Sequence, residues 1–411
     1  MFFVEFLFWI ALALLLFTYA GYPLLLVLLA PIRPKPVIRP GVFEPTVSFL
    51  VAARNEARHI EAKIRNIAEL DYPPERLEVL VLDDGSSDAT AELTRQAFER
   101  YLGGGRYWAT RVVSLGAPQG KAAALNRGGE EARGDVLVLS DADCLVNREA
   151  VRLLVKPFVN PIVGCVAGRY VAGGVQGRNA GGVGLYWRYE GYIRTKESES
   201  GGLLGASGAL YALRRDLYPV LRPGLVNDDF VVPITVSLRG FRTLYEPNAV
   251  AVEDESRNVE VEFRRRVRIM VGNCQHVLLF REYFSGKRGQ WRLLAQMVCH
   301  KFLRVVSPLW LILAGGTGIA LASSPSGTWL GTGVYRVLLM GQILCYLLAA
   351  AGFFFQGSHR FSKLMTLPYY FVMLNAAAFL GMWHFLVDHG VVTWGAPEAK
   401  DPLSCKECRH G

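Results

Sequence analysis

The residues from Gly134 to Cys144 read GDVLVLSDADC, and they set Asp141 and Asp143 two positions apart directly after an apolar run. Two carboxylates this close repel each other and lose hydration unless a cation or a set of donors compensates them. A hard divalent ion bridging phosphate oxygens is the natural compensator, and an Asp-rich surface turn is the alternative. Upstream, GKAAALNRG (Gly120 to Gly128) puts Lys121 in a glycine-flanked turn before a short helix. A lysine so placed can meet a phosphate or simply face solvent. The stretch lacks the GxxxxGK[ST] spacing of a P-loop. Further on, LVNDDF carries Asp228 and Asp229, whose plainest reading is a helix N-cap.

These side chains need a scaffold, and the hydrophobic pattern supplies one. Val136 to Leu139 is apolar without polar alternation, as in a strand buried on both faces. Open α/β sheets place ligands at the carboxyl ends of such strands, where Asp141 and Asp143 stand. TVSFLVAA from Thr46 and LEVLVL (Leu77 to Leu82) read as two more buried strands. Ile60, Ile64 and Ile67 give Ala57 to Leu70 a helical spacing, and Ser87 or Asp88 can cap a helix holding Leu93, Ala97 and Tyr101. This alternation predicts right-handed crossovers and a mostly parallel sheet. No GxGxxG follows the first strand, which counts against a dinucleotide-binding oxidoreductase. GFRTLYEPNAVAVEDE reads as the closing strand.

At 411 residues the chain exceeds one average domain; it is 51% hydrophobic, with a net charge of +9 and a mean hydropathy of +0.23. The basic residues mostly flank apolar runs, which points to an anionic membrane face and away from nucleic acid. Phe6 to Ala30 is long enough to span a bilayer, and without a basic start it reads as a retained anchor kinked at Pro23. Arg33, Lys35 and Arg39 follow it and predict a cytoplasmic domain at the inner membrane. Residues 281 to 304 read as a basic interfacial helix. Three further runs reach spanning length: Val305 to Ser323, Val337 to Gln356 and Leu364 to Val387. Four crossings put both termini outside; the last run contains Pro368, Asn375 and His384 and has a re-entrant alternative. The seven cysteines show no disulfide framework, and the CxxC of Cys405 and Cys408 lacks the second pair of a structural zinc site.

ARNE at 53–56, DDGSSD at 83–88, GKAAALN at 120–126, DAD at 141–143 and NDD at 227–229 recur in order. Together they resemble the inverting, membrane-embedded family 2 glycosyltransferases of GT-A fold, such as bacterial exopolysaccharide synthases. The resemblance covers residues 45 to 275. It implies an α/β GT-A, Rossmann-like nucleotide-sugar domain with α-helical transmembrane segments at both ends. The expected division is an anchor at 1–32, the GT-A domain at 33–257, basic interfacial helices at 258–304, three transmembrane helices at 305–388 and a tail at 389–411.

Residue by residue, the resemblance implies that Glu56 and Asp84, with backbone groups of Ala53, hold the base and ribose of a nucleotide-sugar, in the first place a UDP-sugar. Lys121 then approaches the diphosphate or the sugar. Asp141 faces the nucleotide, and Asp143, with Asp141 beside it, ligates Mg²⁺ or Mn²⁺. Ser207 and Gly208 frame the acceptor, and Asp229, next to Asp228, is the general base of a single displacement. Asp83, Asp88 and the two serines between them read as turn and cap residues. The family's Gln-x-x-Arg-Trp signature falls at residues 265–269. Arg268 keeps the arginine and can grip the diphosphate, whereas Arg265 replaces the Gln and Ile269 replaces the Trp. Losing that Trp removes a sugar-stacking platform and favours a single transfer to a lipid or glycan acceptor over processive synthesis with translocation. For the arginine run, a basic helix on lipid headgroups remains the other reading. A non-catalytic nucleotide-sugar receptor would have no use for a base beside the donor. A transporter is disfavoured by the scarcity of ionisable residues in the spans.

Overall fold

In the computed structural model of the chain, residues 1–29, 43–105, 107–172, 181–253, 259–284, 291–324, 330–354 and 362–387 are described. Arg33, Lys35, Arg39, Cys405 and Cys408 lie outside them. Helices α1 (Phe2–Leu16) and α2 (Tyr22–Leu29) are joined by a π-turn, Phe17–Gly21, so the adjustment to Pro23 falls in the turn before it. The domain then runs β1 (Val47–Ala53), α3 (Ile60–Ala68), β2 (Leu77–Asp83), α4 (Thr90–Leu102), β3 (Ala109–Ser114), α5 (Lys121–Glu131), β4 (Val136–Asp141) and β5 (Cys144–Val146). It continues with α6 (Ala150–Val155), β6 (Val163–Ala172), α7 (Gly181–Glu199), β7 (Tyr211–Arg214), α8 (Asp228–Leu238) and β8 (Arg242–Glu253). After it come α9 (Val259–Phe284), α10 (Trp291–Gln296), α11 (Leu303–Ala322), α12 (Thr332–Phe354) and α13 (Ser362–Val387).

One sheet of eight strands orders them β3-β2-β1-β4-β7-β6-β8-β5. The sheet is mostly parallel, as expected: β3, β2, β1 and β4 run parallel to one another, and β6 pairs parallel with β8. The chain turns from β4 straight into β5, which crosses to the far edge and pairs antiparallel with β8. The place beside β4 is taken by β7, which runs antiparallel to both β4 and β6. Every residue of β1 and β2 is buried. Val47, Phe49 and Val51 of β1 pack with Ile60, Ile64 and Ile67 of α3 on one face, while Leu50 and Ala52 meet Leu125 of α5 and Val232 of α8 on the other. Both faces are covered, which is why the strands read as unbroken apolar runs.

The β4–β5 corner is pinned from below. Lys63 of α3 is fully buried and donates to Ser140 Oγ at 2.6 Å and to the Cys144 carbonyl at 2.5 Å. This fixes the turn that carries Asp141 and Asp143.

Among the described residues, four helical segments are long and apolar enough to cross a membrane: Phe2–Leu29, Trp291–Ala322, Thr332–Phe354 and Met365–Val387. One expectation changes here. The helix beginning at Trp291 is continuous with the crossing through a π-turn at Met297–Phe302, and its His300 and Arg304 turn inward to Glu190 of α7 instead of lying on headgroups. Helix α13 runs unbroken through Pro368, in keeping with the expected crossing and not with its re-entrant alternative. Its Asn375 is held at mid-helix, accepting from Ser307 Oγ at 2.6 Å.

Candidate active site

The site begins where β1, β2 and β4 end. After β1, Asn55 takes a left-handed backbone (φ 57°) and its side-chain oxygen accepts the Ser87 N–H at 2.9 Å. Asp88 accepts from the Ala57 and Thr90 amides, and Asp83 accepts from that of Ser86. Gly85 (φ +62°) packs so closely on Ala117 and Pro118 that a Cβ would lie 2.6 Å from their backbone atoms. The two loops are thereby locked together.

Glu56 keeps a partly exposed carboxylate on this rim, 2.7 Å from His59 Nδ1. Asp84 does not. It is fully buried, and its two oxygens accept the Gln119 and Gly120 amides at 2.7–3.1 Å. Its own N–H binds the Ala53 carbonyl. The sequence expectation for Asp84 is corrected: its carboxylate is spent on the turn that launches Lys121. Ala53, fully buried, contributes as part of the same turn.

Lys121 is the hub. Its Nζ lies 2.7 Å from Asp141 Oδ1 and 3.2 Å from Asp228 Oδ1. Burial opposes the charge, but the two carboxylates outweigh it and hold the ammonium above its ordinary range. Asp228 also accepts from Tyr211 Oη at 3.3 Å. Burial first, then the Asp229 and Asp141 charges, push its carboxyl up to about 6 against the pull of Lys121. Asp228 therefore positions Lys121 at the cavity wall. Asp229 is less buried; its Oδ2 accepts the Gly208 amide at 3.1 Å, and its main-chain oxygen accepts that of Ala206. Ser207 and Gly208 thus line the same wall as the two aspartates.

Asp143 sits in a concentration of acid. Burial first, then Asp141, Glu253 and Glu56, push its carboxyl up to about 7. Ligand atoms of Asp141, Asp143 and Cys144 lie within 4.8 Å of one another. Two carboxylate oxygens beside a cleft, with negative charge left uncompensated, suit a hard cation that completes its shell from elsewhere, such as Mg²⁺ or Mn²⁺. The buried Cys144 thiol, raised by burial and by both aspartates, is the poorer donor for such an ion.

The arginines of α9 divide the work. Arg265 grips Glu253 through two bonds of 2.6 and 2.9 Å, and Arg266 pairs with Glu262 at 2.5 Å. Arg265 therefore anchors α9 to β8 and is not free for a donor, a second correction. Arg268 makes no ion pair among the described residues and faces Asp141, Glu253 and Asp143. Burial and the nearby Arg265 lower it, with those carboxylates offsetting part of the cost. Nor does α9 simply float on headgroups, since Asn227 Nδ2 donates to its Ile269 carbonyl at 3.2 Å.

A cavity of about 900 Å³ joins these parts. Lys121, Asp141, Ser207, Asp229 and Arg268 line one end, and Leu15 and Tyr19 of the first spanning segment and Phe371 of α13 line the other. The sequence reading missed its middle, formed by Tyr170 of β6 and by Trp187, Glu190 and Arg194 of α7. The Tyr170 and Trp187 rings meet at 4.4 Å, tilted by 55°, so an aromatic surface is present although Ile269 replaces the expected Trp. The sequence signal available was the aromatic run YWRYEGY at 186–192.

Residues 48–221 match the model of a family described as glycosyl transferase family 2. Over those residues the chain is similar to the family 2 glycosyltransferases. This domain, with its flanks, is 28% identical over 283 residues to a poly-beta-1,6-N-acetyl-D-glucosamine synthase of Staphylococcus aureus, covering 65% of this chain and 63% of that one. It is 30% identical over 257 residues to a probable glycosyltransferase, YdaM, of Bacillus subtilis, with 59% of each chain covered. The chain thus spans less than two thirds of the length of these relatives. Among solved structures, a mannosyltransferase of Pyrobaculum calidifontis, determined with GDP-Man and Mn²⁺, superposes with a TM-score of 0.69 at 24% identity. That match covers 93% of this chain and 99% of the other. The domain has the GT-A fold, and the likeness extends over nearly the whole chain.

Proposed function

We propose that the protein is an inverting glycosyltransferase that moves a sugar from a nucleotide donor, in the first place a UDP-sugar, to a lipid or glycan acceptor held at the membrane. The observation that carries this reading is the single cavity running from the Lys121–Asp141–Asp229 cluster to the spanning helices. The donor's nucleoside belongs at the Glu56 rim and its diphosphate between Lys121, Arg268 and the Asp141–Asp143 corner. A divalent cation bound by those two aspartates would neutralise charge growing on the departing nucleoside diphosphate; the Pyrobaculum enzyme holds Mn²⁺. Arg268 lacks an ion pair among the described residues, so it can follow that charge as the bond breaks. Asp229 takes the proton from the acceptor hydroxyl as the oxygen attacks the anomeric carbon. Its Oδ2 is fixed by the Gly208 amide, which leaves Oδ1 for the proton. The catalytic face is assigned to the cytoplasm of the inner membrane on the strength of the basic residues after the first span.

A second reading, repeated transfer to build a polymer, is favoured by the likeness to the staphylococcal synthase. A donor panel in native membranes, with nucleoside diphosphate release as readout, tests the main proposal. Release should require Mn²⁺ or Mg²⁺ and vanish in Asp143→Asn. Donor binding without any turnover would favour a receptor, and product length separates single transfer from polymerisation.

A further inference from the structure

Beside the reaction cavity lies a second one of about 290 Å³, lined by Asn273 and His276 of α9 and by Met297, Val298, Lys301 and Phe302 of the π-turn region, among others. Asn273 and Lys301 line both cavities, so the two spaces share a wall. The smaller one is apolar except at that wall. His276 is 2% exposed, and neither of its ring nitrogens has a hydrogen-bond partner among the described residues. Its ring lies 4.3 Å from that of Phe230, the residue after Asp229. Lys301 stands over the same Phe230 ring at 5.4 Å and forms no ion pair among the described residues. An ammonium without an ion pair and an imidazole without a hydrogen-bond partner, among the described residues, thus both pack on the ring next to the proposed base and line the apolar chamber.

Buried polar groups left without partners cost free energy unless a ligand satisfies them. Burial first, then the Lys301 charge, hold the imidazole down at about 3, so it offers an uncharged donor beside the ammonium. The larger cavity has the matching bias: of the cationic side chains that line it, Arg268 and Lys301 form no ion pair among the described residues. At the outer end of the chamber Phe302 is 39% exposed, on a helix long and apolar enough to cross a membrane. Head, tail and exit are thus arranged in sequence.

We propose that the two cavities together bind the acceptor as an anionic amphiphile, with a phosphate or diphosphate head at Lys301 and His276 and a hydrocarbon tail in the smaller chamber, leaving past Phe302. This rests on the glycosyltransferase reading and names its acceptor class. A hydroxyl beyond the phosphate then reaches Asp229. The acceptor oxygen bonds to the anomeric carbon, and the bond from that carbon to the donor's diphosphate oxygen breaks. The electron pair leaves with the nucleoside diphosphate, and the hydroxyl proton passes to Asp229.

The test uses the full chain in phosphatidylcholine nanodiscs, with empty discs as blank, and titrates dodecyl phosphate, dodecanol (tail without head) and glycerol phosphate (head without tail). Dodecyl phosphate should bind about tenfold or more tighter than either fragment. Lys301→Ala and Val298→Trp, which remove the charge and fill the chamber, should each weaken it by roughly tenfold, and Lys301→Arg should restore binding. Donor affinity measured on the same samples reports whether the nucleotide half is folded. Equal binding of glycerol phosphate would assign the site to free phosphate, and equal binding of dodecanol to an unspecific apolar pocket; either overturns the proposal, as do two variants that bind like the parent. Failure of the unaltered protein to bind any nucleotide-sugar would instead overturn the glycosyltransferase reading.

Discussion

Replacing Gly208 by alanine tests the packing of the reaction centre with a single methyl group. Gly208 is not among the glycines with positive φ, so alanine can adopt its backbone unchanged. The obstacle is contact alone: the new Cβ would lie 3.0 Å from Asp141 Oδ2 and 3.3 Å from Lys121 Nζ, where ordinary contact begins at 3.4 Å. The ion pair must retreat by a few tenths of an ångström. It cannot do so freely, because Lys121 is also tied to Asp228 and the Gly208 amide holds Asp229. A displacement of about 1 Å in a catalytic arrangement costs on the order of 10²-fold. The fraction required here predicts a roughly tenfold fall in kcat/KM, about 1.4 kcal/mol. Folding should change little, because Gly→Ala lowers the entropy of the unfolded chain by about 0.4–1 kcal/mol and offsets the crowding. Nucleoside diphosphate release at saturating Mn²⁺, with Tm recorded alongside, measures both. Parental kcat/KM, or an activity loss that tracks unfolding, would refute the placement of Gly208 against a working Lys121–Asp141 pair.

Asp229→Asn keeps an oxygen for the Gly208 amide but cannot take a proton, so kcat should fall by about 10²–10⁴-fold while donor affinity stays near parental; equilibrium binding and turnover separate the two. Arg265→Lys loses the two-pronged grip on Glu253, so Tm should fall by a few degrees without loss of the metal requirement, as a thermal melt with and without Mn²⁺ will show. Glu190→Gln removes the carboxylate that meets His300 and Arg304. Burial opposes the Glu190 charge, but His300 and Arg304 hold its carboxyl well below the ordinary value of 4.5. Its stabilisation is therefore present above pH 4.5 and is lost as pH falls below that. The variant should be less stable by about 3–5 kcal/mol at neutral pH, with a gap that closes on acidification in pH-dependent melts.

What the sequence disclosed follows from which interactions are local. β1, β2 and β4 were legible because burial on both faces leaves unbroken apolar runs, and Asp141 and Asp143 because strand ends carry ligands. Roles that depend on distant partners were not legible. Nothing in DDGSSD says that Asp84 will spend its oxygens on amides 35 and 36 residues away. Nothing in the arginine run says that Glu253 will claim Arg265. Helix α7 escaped notice for the same reason. Its Glu190 and Glu197 sit at buried positions, and their partners His300 and Arg304 arrive more than a hundred residues later. Pro368 argues locally for a re-entrant segment, yet α13 runs continuously through it, as the length of the apolar run predicts.

The central claim is a single displacement in which Asp229 strips the proton and the donor's diphosphate leaves from the opposite face. Nuclear magnetic resonance of the first product, formed from an α-linked nucleotide-sugar, reads the outcome directly. A β-configured linkage is predicted, and an α-configured product would contradict the account.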